Sequence, residues 1–135
     1  MGCGRAQISK HFTDKNDARF QFINYDHVSS NESVISCDIS NTPLDDDSVE
    51  IEILCLAMWG SNCKSYITEA HRILESNGLL YIIEATKRWS DKDVVLGDEG
   101  GKLNKLLTDN FFQVSESKIE KFSYIVCNKR QRISE

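Results

Sequence analysis

Val49-Glu50-Ile51-Glu52-Ile53-Leu54-Cys55-Leu56 alternates apolar and acidic residues over its first half and is wholly apolar over its second. Alternation with period two sends successive side chains to opposite faces of a strand, and a continuous apolar run needs cover on both faces. The segment therefore reads as a central strand passing from the rim of a sheet to its interior. Downstream, residues 63–75 set Tyr66, Ile67, Ala70, Ile73 and Leu74 at helical spacing along one face. Ser61 or Asn62 is available as the helix cap and Asn77-Gly78 as a left-handed stop. Leu79 to Glu84 follows as a second buried strand, so that strand, helix and strand succeed one another as in an α/β sheet.

Upstream, two apolar runs each end in an aspartate. Phe20 to Tyr25 reads as a strand closing at Asp26, and Val34-Ile35-Ser36-Cys37 as a short buried strand closing at Asp38. Before them, Ala6 to Phe12 reads as a short helix closed by the polar residues 13–18, and Met1-Gly2-Cys3-Gly4-Arg5-Ala6 as a glycine turn. In an open α/β sheet such a turn follows the first, central strand and lets backbone approach a ligand closely. The expectation is that Met1 is the last residue of that strand and that the rest is missing. A gap through the sheet's centre would then leave unpaired backbone groups on both sides.

Beyond Glu84, residues 86–101 read as a charged, glycine-containing loop, and Leu103, Leu106 and Leu107 as one face of a helix. Phe112 to Ile119 and Phe122 to Cys127, separated by Glu120-Lys121, read as a closing antiparallel pair. Residues 128–135, which include Lys129-Arg130-Gln131-Arg132, are expected to be a disordered basic tail on a single domain spanning residues 1–135.

Composition narrows the function classes. Apolar runs such as Leu79-Leu80-Tyr81-Ile82-Ile83 fall far short of the roughly 20 residues a membrane-spanning helix requires. Nothing at the N-terminus reads as a secretion signal, which implies an intracellular protein. Cys3, Cys37, Cys55, Cys63 and Cys127 form no C-x-x-C pair and have no histidines at zinc-finger spacing, so no metal site is expected. Cys37, Cys55 and Cys127 fall in apolar runs, where a free thiol behaves as a small hydrophobe. A net charge of −5 argues against nonspecific binding to nucleic acid, while the basic residues 129–132 and the Lys87-Arg88-Trp89 triplet keep a local contact open.

Three features converge on one edge of such a sheet: the Gly2-Cys3-Gly4 turn, Asp26 and Asp38. Ligands of these sheets bind outside the carboxyl ends of the strands. A carboxylate after the second strand can accept both hydroxyls of a ribose, and one after the third can receive an adenine amino group, which describes an adenosine site. Each aspartate also has a plainer reading as a turn residue. A nicotinamide dinucleotide is disfavoured because Gln7 stands where G-x-G-x-x-G requires a small residue.

The stretch from Cys37 through Val49, continuing as Cys55-Leu56-Ala57-Met58-Trp59-Gly60-Ser61-Asn62 and Glu69-Ala70-His71-Arg72-Ile73-Leu74 to Glu84, resembles the ribosomal RNA-processing protein eight (nucleomethylin) family. These are class I S-adenosylmethionine-dependent methyltransferases of the nucleolus. The resemblance implies a doubly wound, Rossmann-like class I methyltransferase sheet lacking most of its first strand, with a C-terminal antiparallel hairpin. It implies S-adenosylmethionine as cofactor, with Gly2, Cys3 and Gly4 under the methionine part, Asp26 on the ribose, Asp38 with Ile39 around the adenine, and Cys55 near the methyl group. It further implies methylation of ring nitrogen 1 of an adenine in large-subunit ribosomal RNA, and residence in the nucleus and nucleolus. No Ser-His-Asp or Cys-His arrangement stands out, and Leu56-Ala57-Met58-Trp59 replaces the N/D-P-P-Y box of exocyclic-amine methyltransferases. Trp59 or Trp89 is a candidate for stacking on a base and Asn62 or Glu84 for orienting one; Trp59 also reads as core packing and Asn62 as a helix cap. His71 reads as structural or exposed. The second reading is a noncatalytic methyltransferase-like fragment that serves as an interaction scaffold.

Overall fold

A computed structural model of the protein describes residues 1–15, 17–58, 63–89 and 101–132. The alternating segment forms β3 (Val49–Cys55), and it is followed by α2 (Cys63–Ile73) and β4 (Leu74–Ala85). β3 and β4 are parallel, in register from Ile51 opposite Leu79 to Cys55 opposite Ile83. Before them lie α1 (Gln7–Asp14), β1 (Tyr25–Asp26) and β2 (Ile35–Ser36). After them come α3 (Thr86–Trp89), α4 (Gly101–Asp109), β5 (Phe112–Ile119) and β6 (Phe122–Lys129). The strands form one sheet of order β3-β4-β6-β5 and a separate parallel pair, β1-β2.

One apolar face fills the core. Leu80 and Ile82 of β4, with Ile125 and Cys127 of β6, pack against Ile67 and Ala70 of α2 and Leu103 and Leu107 of α4. All five residues expected on the buried face of α2 are buried, although the helix ends at Ile73, so that Leu74 already belongs to β4. The left-handed residue of the stop is Asn77, with φ 63°. The irregular start of β4 absorbs it, five residues of β4 passing while two of β3 do. The closing hairpin is antiparallel throughout, with a bulge between Val114 and Glu116 that accommodates one extra residue.

The upstream strands are shorter than expected. Residues 20–24 are not in a sheet: only Tyr25 and Asp26 pair, with Ile35 and Ser36. A strand is held by its neighbour, and among the described residues the backbone bond joining β1 to the glycine turn is Cys3 N to Tyr25 O at 3.2 Å. Phe20 and Ile23 consequently remain exposed. The β2 pair is also exposed, and burial falls instead on flanking Val34 and Ile39.

Met1 joins the two sheets. Its amino group donates to Ile53 O, Cys55 N donates to Met1 O at 3.2 Å, and Cys3 N donates to Tyr25 O at 3.2 Å. The first two bonds form one parallel bridge opposite Leu54, and the third ties the next turn to β1.

Two other expectations are corrected. Residues 86–89 are the short helix α3 rather than loop, and residues 90–100 lie outside the described residues. The expected disordered tail does not begin at residue 128, because Asn128 and Lys129 complete β6. Lys129 Nζ donates to Asp47 and to Leu74 O, Arg130 N donates to Phe111 O at 2.8 Å, and Arg132 lies 5.3 Å over the Phe111 ring. His71 is structural: its Nε2 is 2.8 Å from Arg130 O, and its ring meets Phe112 edge-on.

Candidate functional site

The glycine turn is built on backbone that only small residues tolerate. Gly2 and Gly4 have φ of 64° and 57°, and a Cβ added at Gly2 would lie 2.7 Å from Cys55 O and 2.8 Å from the Ala57 side chain. Glycine at position 2 thus satisfies both a left-handed conformation and a close approach to the end of β3. At Gly4 a Cβ would meet nothing within 4 Å, so there the conformation alone asks for glycine.

Asp26 closes β1 and holds this turn. Its Oδ2 accepts from Gly4 N at 2.8 Å and its Oδ1 from His27 N at 2.7 Å. A carboxylate has about four acceptor positions, so two backbone donors fix its orientation and leave capacity for a ligand. From the linker after β1, Ser30 Oγ donates to Gly4 O at 2.7 Å and Asn31 Nδ2 to Arg5 O at 3.1 Å. The turn is therefore held by side chains on the side facing β1.

The next wall comes from the turn after β2. Asp38 Oδ1 accepts from both the amide and hydroxyl of Ser40, at 2.9 and 2.7 Å. These hydrogen bonds, the hydroxyl's first, hold the Asp38 carboxyl below its ordinary pKa. The same turn is anchored to α2, where Glu69 Oε1 accepts from Thr42 N and Oγ1 at 2.8 Å each and from Arg72 at 2.6 Å. What this turn presents inward is Ile39, which is buried.

The third wall is the end of β3. Leu56 takes φ 48° while its amide donates to Ile83 O at 2.8 Å, turning the chain sharply out of the sheet. Burial pushes the Cys55 and Cys3 thiols above their ordinary pKa, so both remain protonated at neutral pH.

These walls enclose a cavity of about 550 Å³. Gly2, Cys3, Gly4, Asp26, Ile39 and Cys55 line it, so six of the seven residues singled out in the sequence meet at one place. Asp38 is not among the lining residues; its carboxylate turns to Ser40. Arg5, Gln7, His27, Leu56, Ala57 and Tyr66 complete the lining and were not expected there. Arg5, His27 and Leu56 adjoin expected residues, so adjacency is a signal for them. Tyr66 has none, because its place on the apolar face of α2 reads as core. Trp59 and Asn62 lie outside the described residues, as does the Trp89 side chain. Glu84 is buried and accepts from Met58 N at 3.0 Å.

The site sits at the carboxyl ends of β1 and β3, beside a glycine turn that joins two parallel sections of sheet, as in the class I methyltransferase fold. Solved structures share that fold. A Burkholderia thailandensis 1,6-didemethyltoxoflavin-N1-methyltransferase, with 1,6-didemethyltoxoflavin and S-adenosylhomocysteine bound, superposes with a TM-score of 0.71 at 15% identity over 96% of this chain and 69% of its own. A SAM-dependent methyltransferase of Aquifex aeolicus does so with 0.68 at 15% identity, over 94% and 78%.

The chain belongs to the family described as "Hypothetical methyltransferase", which matches residues 1–132. Among its relatives are the Schizosaccharomyces pombe 25S rRNA (adenine(645)-N(1))-methyltransferase, 41% identical over 92 residues, and the Caenorhabditis elegans Ribosomal RNA-processing protein 8, 35% identical over 127 residues. These matches cover 68% and 90% of this chain but only 28% and 36% of the relatives' lengths.

Proposed function

We propose that this chain is the cofactor-binding part of an S-adenosylmethionine-dependent RNA methyltransferase whose substrate is ring nitrogen 1 of an adenine in large-subunit ribosomal RNA. The observation that carries the reading is the single cavity where the glycine turn, Asp26, Ile39 and the end of β3 meet. Its residues suit the cofactor. The left-handed, side-chain-free backbone at Gly2 and Gly4 leaves room for an amino-acid moiety, Asp26 has acceptor capacity for two ribose hydroxyls, and Ile39 offers an apolar surface for a base. A volume of about 550 Å³ lies within the range for sites of small molecules and cofactors.

When bound, the cofactor would supply a methyl group activated on a sulfonium sulfur, to be passed in line to the attacking ring nitrogen as the carbon–sulfur bond breaks and the neutral thioether departs. Such a displacement requires alignment rather than a nucleophile of the protein. The residues of this chain accordingly hold and orient. Asp26 fixes the turn and the ribose, Ile39 confines the base, and the Cys55–Ala57 turn closes the floor. The protonated thiols of Cys3 and Cys55 are poor nucleophiles and do not compete for the methyl group.

The RNA specificity, and the nucleus and nucleolus as the place of action, rest on the named relatives and belong to this proposal. Isothermal titration with S-adenosylmethionine is the test. The wild-type chain should bind, and Asp26→Ala should weaken binding at least about tenfold by removing a charge-assisted acceptor. Unchanged affinity in both Asp26→Ala and Asp38→Ala sinks the site. Transfer of labelled methyl to large-subunit rRNA fragments, read as a reverse-transcription stop at adenine, tests the substrate. An interaction scaffold is the second reading, favoured by the division of the sheet between β1 and β3. Absence of cofactor binding by a folded chain supports it.

A further inference from the structure

Glu84 sits at the carboxyl end of β4, 1% exposed, and is not itself among the residues that line the cavity. Its Oε1 accepts the Met58 amide at 3.0 Å across 26 residues of sequence. The other end of the same peptide unit series is held too, since Cys63 Sγ donates to Met58 O at 3.4 Å, and the Met58 side chain is fully buried. Met58 thereby anchors a turn whose preceding residues do line the cavity, Leu56 with φ 48° and Ala57 in close approach to Gly2. A left-handed leucine is strained and persists only where its surroundings over-determine it. The constraints here include the Leu56 amide on Ile83 O at 2.8 Å and the Met58 amide on Glu84.

We infer that Glu84 is a positioning residue for the cofactor site: its carboxylate holds Met58, Met58 holds the Leu56–Ala57 turn, and that turn sets the floor against which Gly2 packs. This rests on the cofactor reading above. Without the Glu84 acceptor the buried Met58 amide loses this hydrogen bond, and the turn is less tightly held against relaxing toward ordinary backbone angles. That movement displaces Ala57, whose side chain would lie 2.8 Å from a Cβ at Gly2.

The test compares Glu84→Ala, Glu84→Gln and Glu84→Leu in the full chain. Isothermal titration with S-adenosylhomocysteine and amide hydrogen exchange at Met58 are measured well below each variant's melting temperature. Glutamine keeps an acceptor oxygen at the same reach; leucine fills the volume without one. The expected result is S-adenosylhomocysteine affinity within about threefold of wild type for Glu84→Gln, with Met58 still protected. Glu84→Ala and Glu84→Leu should lose affinity at least about tenfold and lose Met58 protection. Wild-type affinity in a folded Glu84→Leu or Glu84→Ala overturns the inference, since a merely structural residue would lower melting temperature alone. If both fail to fold, Glu84→Gln decides: retained affinity with a protected Met58 amide supports it, and a tenfold loss overturns it. If the wild-type chain does not bind the cofactor, the cofactor reading has failed, whereas Met58 exchange still reports on the strut.

Discussion

The sheet of β3, β4, β6 and β5 is held by its backbone ladder, whereas the region around β1 and β2 is held by side chains. In the first, seven consecutive residues of β4 pair with β6, and the hydrophobic cluster lies directly against them. In the second, only two residues of each strand pair, and Asp26, Ser30, Asn31 and Asp38 supply hydrogen bonds that a longer strand would have drawn from backbone. The difference separates stability from recognition. Ladder bonds repeat along a strand and cannot be aimed, whereas an Asp or Ser side chain fixes one loop in one shape around a ligand.

The largest expected effect lies at the boundary between the regions. Glu52 of β3 is 4% exposed, and burial pushes its carboxyl up to about 8, partly offset by the Met1 amino group and reinforced by Glu69. A carboxyl whose folded pKa exceeds its unfolded value binds more protons when folded, so the contribution of Glu52 to stability is fully present below about 4.5 and is lost as pH rises through about 8. The swing attributable to this group is on the order of 4 kcal/mol. Urea denaturation at a series of pH values checks it. Glu52→Gln should flatten the decline between about pH 4.5 and 8, and an unchanged slope there would remove Glu52 as its source.

Next comes a cut in the ladder region. Ile125→Ala opens a cavity beside Leu80 and Cys127 and should cost about 3 kcal/mol of stability while leaving cofactor affinity within about twofold. Gly2→Ala should do the reverse. Strain at φ 64° and a Cβ 2.7 Å from Cys55 O should cost about 2 kcal/mol and reduce cofactor affinity on the order of 30-fold. Thermal melts paired with titration separate the two outcomes, and equal losses of affinity would break the comparison. The smallest effect belongs to Ser30→Ala, which removes the exposed bond to Gly4 O. It should cost under about 1 kcal/mol and about threefold in affinity, measurable by titration alone.

Legibility in the sequence followed the same division. The alternation of Val49 to Cys55, the helix face of Tyr66 to Leu74 and the hairpin around Glu120-Lys121 are local patterns, and the structure places all three. Residues 20–24 alternate as well but form no strand, because pairing depends on a neighbour that no local pattern reports. The glycine turn and Asp26 were legible because strand ends and left-handed turns demand particular residue types. Asp38 lies just outside the lining: a serine two residues on bonds its Oδ1 twice, and that D-x-S spacing is a signal of a closed turn. The Glu84–Met58 bond and the burial of Glu52 depend on distant segments meeting, and nothing near either residue announces them.

Met1 to Gly4 bond β3 on one side and β1 on the other, while three of these four residues, Gly2, Cys3 and Gly4, line the cavity. Occupancy of that cavity and cohesion of the two sheets are therefore linked quantities. A ligand that binds only the ordered turn stabilises the junction by mass action, by about 2.7 kcal/mol at a hundred times its dissociation constant, and so raises its melting temperature. Conversely, any change that loosens the junction is felt as weaker binding, even when every group that touches the ligand is intact.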